Sequence, residues 1–140
     1  MVGSNFNHFP EVAQALHDEI VDIVKTTAQG TVQIAQSRAP VDTGFLKSSI
    51  YYSTLSESSY GQEAGAPPEG AYLLPEMDKP ADETSATIGV AASYGEYVEM
   101  GTRYQPAQPY LQPAIDAMAG PFQDALSFIE EGIKARLNGI

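Results

Sequence analysis

The sequence predicts an α+β fold: a small antiparallel sheet packed against a long N-terminal helix and a kinked C-terminal helix. Apolar residues recur at offsets of three and four near both ends of the chain. Between those ends lie two short runs rich in β-branched and aromatic residues, separated by a stretch dense in glycine and proline. With 140 residues, 43% of them apolar, one compact core is the expected result. That domain is read as residues 10–140, behind a flexible N-terminal arm at residues 1–9 whose sequence has no clear period.

The first helix is expected from Pro10 to about Arg38. Val12, Leu16, Ile20, Ile23, Val24, Ala28, Ile34 and Ala35 form its apolar stripe. Glu11, Asp18, Glu19 and Asp22 cluster early and Lys25 and Arg38 late, the order the helix dipole favours. Gly30 weakens the middle. At about 42 Å such a helix exceeds what a domain this small needs, so its outer half either packs on another subunit or spans a sheet face. Pro40 ends the helix, and Asp42–Thr43–Gly44 reads as a tight turn in which Gly44 takes positive φ.

Residues 45–57 read as a strand of about eight residues, by their aromatic and β-hydroxyl content. Thr84–Ser93 reads as its antiparallel partner, with Thr84, Ala86, Ile88 and Val90 alternating. Two strands alone are marginal, which implies a third from the intervening loop or from a neighbouring chain. That loop, residues 58–83, holds three glycines and four prolines and is too long for a hairpin connection. Its central Ala71–Leu74 is read as an anchor or brief strand, and Tyr72 as a contact for a neighbouring subunit or partner.

A short helix begins near Tyr94 and stops at Gly101, where glycine turns the chain at little cost. Pro106 and Pro109 hold the following strap extended, and Pro113 falls in the first turn of the last helix. That helix runs to about Leu137 on the stripe Ile115, Met118, Phe122, Leu126, Ile129 and Ile133, with a kink or break expected at Gly120–Pro121.

Two blocks carry a family resemblance. One is Ala39–Pro40–Val41–Asp42–Thr43–Gly44–Phe45–Leu46–Lys47–Ser48–Ser49–Ile50. The other is Tyr94–Gly95–Glu96–Tyr97–Val98–Glu99–Met100–Gly101–Thr102, followed by Pro106–Ala107–Gln108–Pro109–Tyr110–Leu111–Gln112–Pro113–Ala114. Together they resemble the HK97 gp10-like family of tailed-phage head–tail proteins. Met100 stands where that family usually has an aromatic residue, and Tyr110 where it usually has Phe. The resemblance implies a neck protein forming a ring, hexameric or dodecameric, between the portal or head-closure assembly and the tail. Its alternative is a tail-completion or tail-terminator protein capping the tail tube. The implied partners are further copies of itself, a head-closure or portal-adaptor protein, and a tail-terminator or tail-tube protein. The implied location is the head–tail junction of the virion, after assembly in the host cytoplasm.

Residue chemistry points the same way. There is no cysteine, and of the two histidines His17 has no second imidazole placed to share a metal, so neither thiol chemistry nor a metal centre is expected. Asp42–Thr43–Gly44 matches the letters of an aspartic protease motif, but that chemistry needs two such carboxylates and the triad occurs once. Glu96 and Glu99 lie three apart on one short helix and read as solvated acids, or as partners of Arg103 or of a neighbour's base, rather than a catalytic pair. No enzyme activity and no cofactor are expected. Eighteen acids against seven bases give a formal charge of −11, which opposes nucleic-acid binding but suits a channel through which DNA passes without sequence-specific contact. No stretch is long and apolar enough for a membrane span. What remains is a protein of contact surfaces. Its candidate interface residues are Lys47, Tyr72, Glu96, Glu99, Arg103, Tyr104 and Tyr110, and its structural turns lie at Asp42, Gly44, Gly101, Pro109 and Pro113.

Overall fold

A computed structural model describes residues 9–40, 44–62 and 64–138. The arm expected at 1–9 lies outside these residues except for Phe9, which begins the first helix, and the turn residue Asp42 also lies outside them. The elements are α1 (Phe9–Arg38), α2 (Phe45–Ser48), β1 (Ile50–Ser53), β2 (Thr87–Val90), α3 (Gly95–Met100) and α4 (Leu111–Asn138). The fold is α+β, with both long helices and the antiparallel sheet packed together.

α1 and α4 run antiparallel. Gly30 faces Met118, and Arg136 near the end of α4 reaches Glu19 in the first half of α1 at 3.7 Å. Gly30 does not interrupt α1, and it leaves room for the end of the Met118 side chain, whose Cε would stand 2.9 Å from a Cβ there. The surplus length of α1 is therefore matched by α4 of the same chain. Burial is uneven along the pair. Val24, Ala28, Val32 and Ala35 are buried, whereas Val12, Leu16 and Ile20 on α1 and Phe122, Leu126, Ile129 and Ile133 on α4 are only half-buried. α4 also runs unbroken through Pro121. The ring removes one helical N–H, and Ala117, whose carbonyl loses that donor, lies on an exposed face.

The sheet pairs Ile50 with Val90, Tyr51 with Gly89, Tyr52 with Ile88 and Ser53 with Thr87. Alternation sends Ile50, Tyr52, Ile88 and Val90 to the core that contains Val32 and Ala35 of α1. Tyr52 extends this contact through polar groups: Gln29 Nε2 donates to its hydroxyl at 3.2 Å, the hydroxyl donates to Glu57 at 2.9 Å, and Lys25 pairs with Glu57 at 3.3 Å.

The opposite face is covered by the long loop. Tyr51 lies directly over Gly89, where a Cβ would come within 2.3 Å of the ring. Its hydroxyl accepts from Met77 N–H at 3.0 Å, and Tyr60 meets its ring edge-on at 5.1 Å. The loop also supplies the expected third chain beside the sheet. Leu74 N–H donates to Ala91 O at 2.6 Å and Ser93 N–H to Tyr72 O at 2.9 Å, an antiparallel bridge centred on Leu73 and Ala92.

The strand expected over residues 45–57 is shorter than its composition implied. Phe45–Ser48 forms a helical turn after Gly44, whose φ of 74° makes the sharp entry. The serines favour it: Ser48 Oγ donates to Phe45 O at 3.1 Å and Ser49 Oγ to Leu46 O at 2.8 Å. The turn buries Phe45 and Leu46 together, which strand alternation would not allow.

Candidate functional site

Residues 94–114 form a closed unit built on four constraints. The first is Tyr110. Its ring is 1% exposed, and its hydroxyl donates to Gly95 O at 2.9 Å. A Cβ on Gly95 would stand 2.9 Å from that hydroxyl and 2.6 Å from Val90, so glycine is what admits the ring. Burial, then the Glu99 carboxylate and Tyr94, pushes the Tyr110 phenol well above its ordinary range.

The second is Glu99. One carboxylate oxygen accepts from the backbone N–H groups of Tyr110 and Leu111 at 2.9 and 2.8 Å, and the other from Gln112 at 3.0 Å. These amides belong to the start of α4, whose first turn has no helical partners for its N–H groups. Residue 113 is proline and has no N–H to satisfy. A carboxylate from α3 thus caps α4 from eleven residues away, and its charge suits the positive end of the helix dipole.

The third is Gly101, with φ 76° and ψ 168°, a region that is essentially glycine's. A Cβ there would lie 2.6 Å from Ala107 N. The fourth is the strap itself. Gln108 N–H donates to Val98 O at 2.9 Å, and Thr102 and Gln105 exchange backbone bonds at 2.9 and 3.3 Å. Thr102 Oγ1 accepts from the amides of Tyr104 and Gln105, both at 3.2 Å. The tip of this turn therefore has a fixed shape, and it carries Arg103 and Tyr104.

Two expectations are corrected. Tyr110 is a core residue, not an interface residue: the strap folds back and Gly95 leaves room for its ring. Glu99 is not a solvated acid awaiting Arg103, because its oxygens are engaged by three amides. Glu96, Arg103, Tyr104 and Lys47 are exposed, as is Tyr72, whose backbone is tied to Ser93. Pro109 precedes the buried ring, and Pro113 sits in the first turn of α4.

Sequence reading missed two residues. Tyr97 and Met100 are not among the interface residues expected from the sequence, yet they are 63% and 73% exposed. Three residues apart, they share one face of α3, while Tyr94 and Val98 on its other side meet the core. Tyr104 is 83% exposed, with the Arg103 guanidinium stacked 5.3 Å from its ring centroid. α3 and the strap together present Tyr97, Met100, Arg103 and Tyr104: aromatic, thioether and guanidinium groups on a constrained backbone. This is the composition of binding hot spots.

Elsewhere an apolar cleft of about 530 Å³ opens between α1, α4 and the start of β2, lined by Val24, Ala28, Ile88, Met118 and Phe122 among others. Among the described residues no group of three or more histidines and carboxylates is placed to hold a metal, and no helix is long and apolar enough to cross a membrane.

Residues 7–101 match the profile of the HK97-gp10-like family, described as "Bacteriophage HK97-gp10, putative tail-component". The chain belongs to this family. The match takes in α1, the sheet with its long loop, and α3, and ends at Gly101, so the strap and α4 lie beyond it. No curated protein and no solved structure matches the chain. Membership makes it a phage tail component and so a constituent of the virion that works among other phage structural proteins.

Proposed function

We propose that this HK97-gp10-like protein is a neck component that forms a ring at the head–tail junction, joining the portal or head-closure assembly to the tail around a DNA channel. One observation carries the reading beyond the family. The exposed Tyr97, Met100, Arg103 and Tyr104 stand on a backbone held by Glu99, Gly101 and the Thr102–Gln105 turn. A side-chain group so apolar, on so constrained a base, is suited to burial against a partner. Its role is contact rather than catalysis. The formal charge of −11 suits a wall past which DNA slides without binding. The chain assembles in the host cytoplasm before it joins the particle.

Deleting its gene from the phage tests this. The expected result is DNA-filled heads and finished tails that accumulate separately and join when the purified protein is added. Tails of uncontrolled length would instead mark a terminator that caps the tail tube. Normal, infectious particles would refute both roles.

A further inference from the structure

Resting on the ring reading, we propose which surfaces meet between neighbouring copies: the α3–strap patch of one subunit docks on the exposed face of α4 around Phe128 of the next. Phe128 is 79% exposed, the largest apolar side chain left open on the long helices among the residues whose side chains are described. At helical spacing it shares a face with Asp124 four residues before it and Glu131 three residues after, and both are exposed. An aromatic ring between two carboxylates is the chemical complement of Tyr97, Met100 and Tyr104 beside one guanidinium.

The charges fit in detail. Arg103 makes no ion pair with any described residue, and Glu99, the acid closest to it in sequence, is taken by the start of α4. Asp124 and Glu131 likewise have no cationic partner among the described residues, whereas Glu130 already holds Lys134 and Glu19 holds Arg136. In a chain with seven bases against eighteen acids, a guanidinium beside exposed apolar side chains is the scarce element, and it selects an acidic surface. An aromatic–Met patch docking on a second acid-flanked aromatic buries both and leaves the ion pairs at the rim.

Placement also matches a ring. Glu99 pins α3 to the start of α4, and Phe128 lies seventeen residues further along that helix, about 26 Å away at the α-helical rise. One copy cannot bring the two surfaces together; a two-fold dimer would make the contact twice and stop there, whereas the ring reading requires it to be made once between each pair of neighbours. Each subunit offers a donor face and an acceptor face, so the same contact repeats head to tail until it closes.

The absence of cysteine gives a clean test. Chains carrying Tyr104→Cys and Phe128→Cys singly are mixed and oxidised, and assembly of charge variants is followed by mass photometry. Mixed chains should give a covalent 104–128 heterodimer, and the double variant a ladder of covalent oligomers. Arg103→Glu, and separately Asp124→Arg with Glu131→Arg, should each weaken self-association about tenfold or more, and the three changes combined should restore it. All five residues are exposed, and an unchanged melting temperature confirms an intact fold. Oligomers that form without the cross-link and ignore charge reversal would overturn this contact while the ring reading stands. A chain that neither oligomerises nor cross-links, alone or with its phage's purified head-closure and tail-tube proteins, would overturn both.

Discussion

Removing the Glu99 carboxylate tests the reasoning behind the site most directly. In Glu99→Ala the amides of Tyr110, Leu111 and Gln112 lose their acceptors, two of them in part-buried positions. An N-terminal cap contributes about 1 kcal/mol, and hydrogen bonds to a charged group about 1.5–3. These contributions overlap, because one carboxylate serves all three amides, and water reaches the exposed Gln112 N–H. The expected loss is about 2–3 kcal/mol. For a domain this size that is a fall in melting temperature of roughly 6–12 °C. Glu99→Gln keeps an oxygen for Tyr110 and Leu111 but turns an amide donor toward Gln112, so about half the loss should remain. Glu96→Ala, three residues earlier and exposed, should cost less than about 0.5 kcal/mol. Urea denaturation of the four proteins, with calorimetry, reads all three differences. A Glu99→Ala chain as stable as its parent, or no more damaged than Glu96→Ala, would refute the cap.

Two further outcomes follow from buried tyrosines. Because the folded Tyr110 phenol ionises above its unfolded value of about 10, its contribution is fully present below that pH and is lost as the pH rises beyond it. Tyr110→Phe should flatten the fall in stability on the alkaline side of pH 10 and cost about 1 kcal/mol at pH 7 for the lost bond to Gly95, as read from urea melts at both pH values. Gly89→Ala should push the Tyr51 ring off the sheet and break its bond to Met77. A loss of about 1–3 kcal/mol is expected, together with faster proteolysis of the 58–83 loop.

The long helices were legible because their apolar stripes span many turns and need no distant information. The two strands were legible as elements but not in extent. Phe45 and Leu46 are adjacent apolar residues that a strand would point in opposite directions, and that adjacency was the available sign of the helical turn. The site was harder to read. α4 has no Ser, Thr, Asp or Asn just before its first turn, so its amides needed a remote acceptor, but nothing in the local sequence names Glu99. That assignment requires the strap to fold back. Tyr110 reads as an interface residue because tyrosine is amphipathic, an apolar ring with a polar tip. The sign against this was Gly95, a small residue opening a helix otherwise lined with large ones. The exposure of Tyr97 and Met100 was hidden by the same ambiguity: six residues of helix have room for only one buried face, and spacing alone does not say which.

The Glu99 contact also acts as a clasp. It closes a loop of about a dozen residues, as a disulfide would, and so limits the freedom of the strap in the folded chain. A sulfur bridge opens only by exchange with another thiol, whereas a carboxylate held by three amides opens and re-forms by thermal motion alone. In a chain without cysteine, the turn that displays Arg103 and Tyr104 is therefore fixed without any dependence on the redox state of its surroundings. The strap keeps the same shape in the reducing interior of a cell and in a particle outside it.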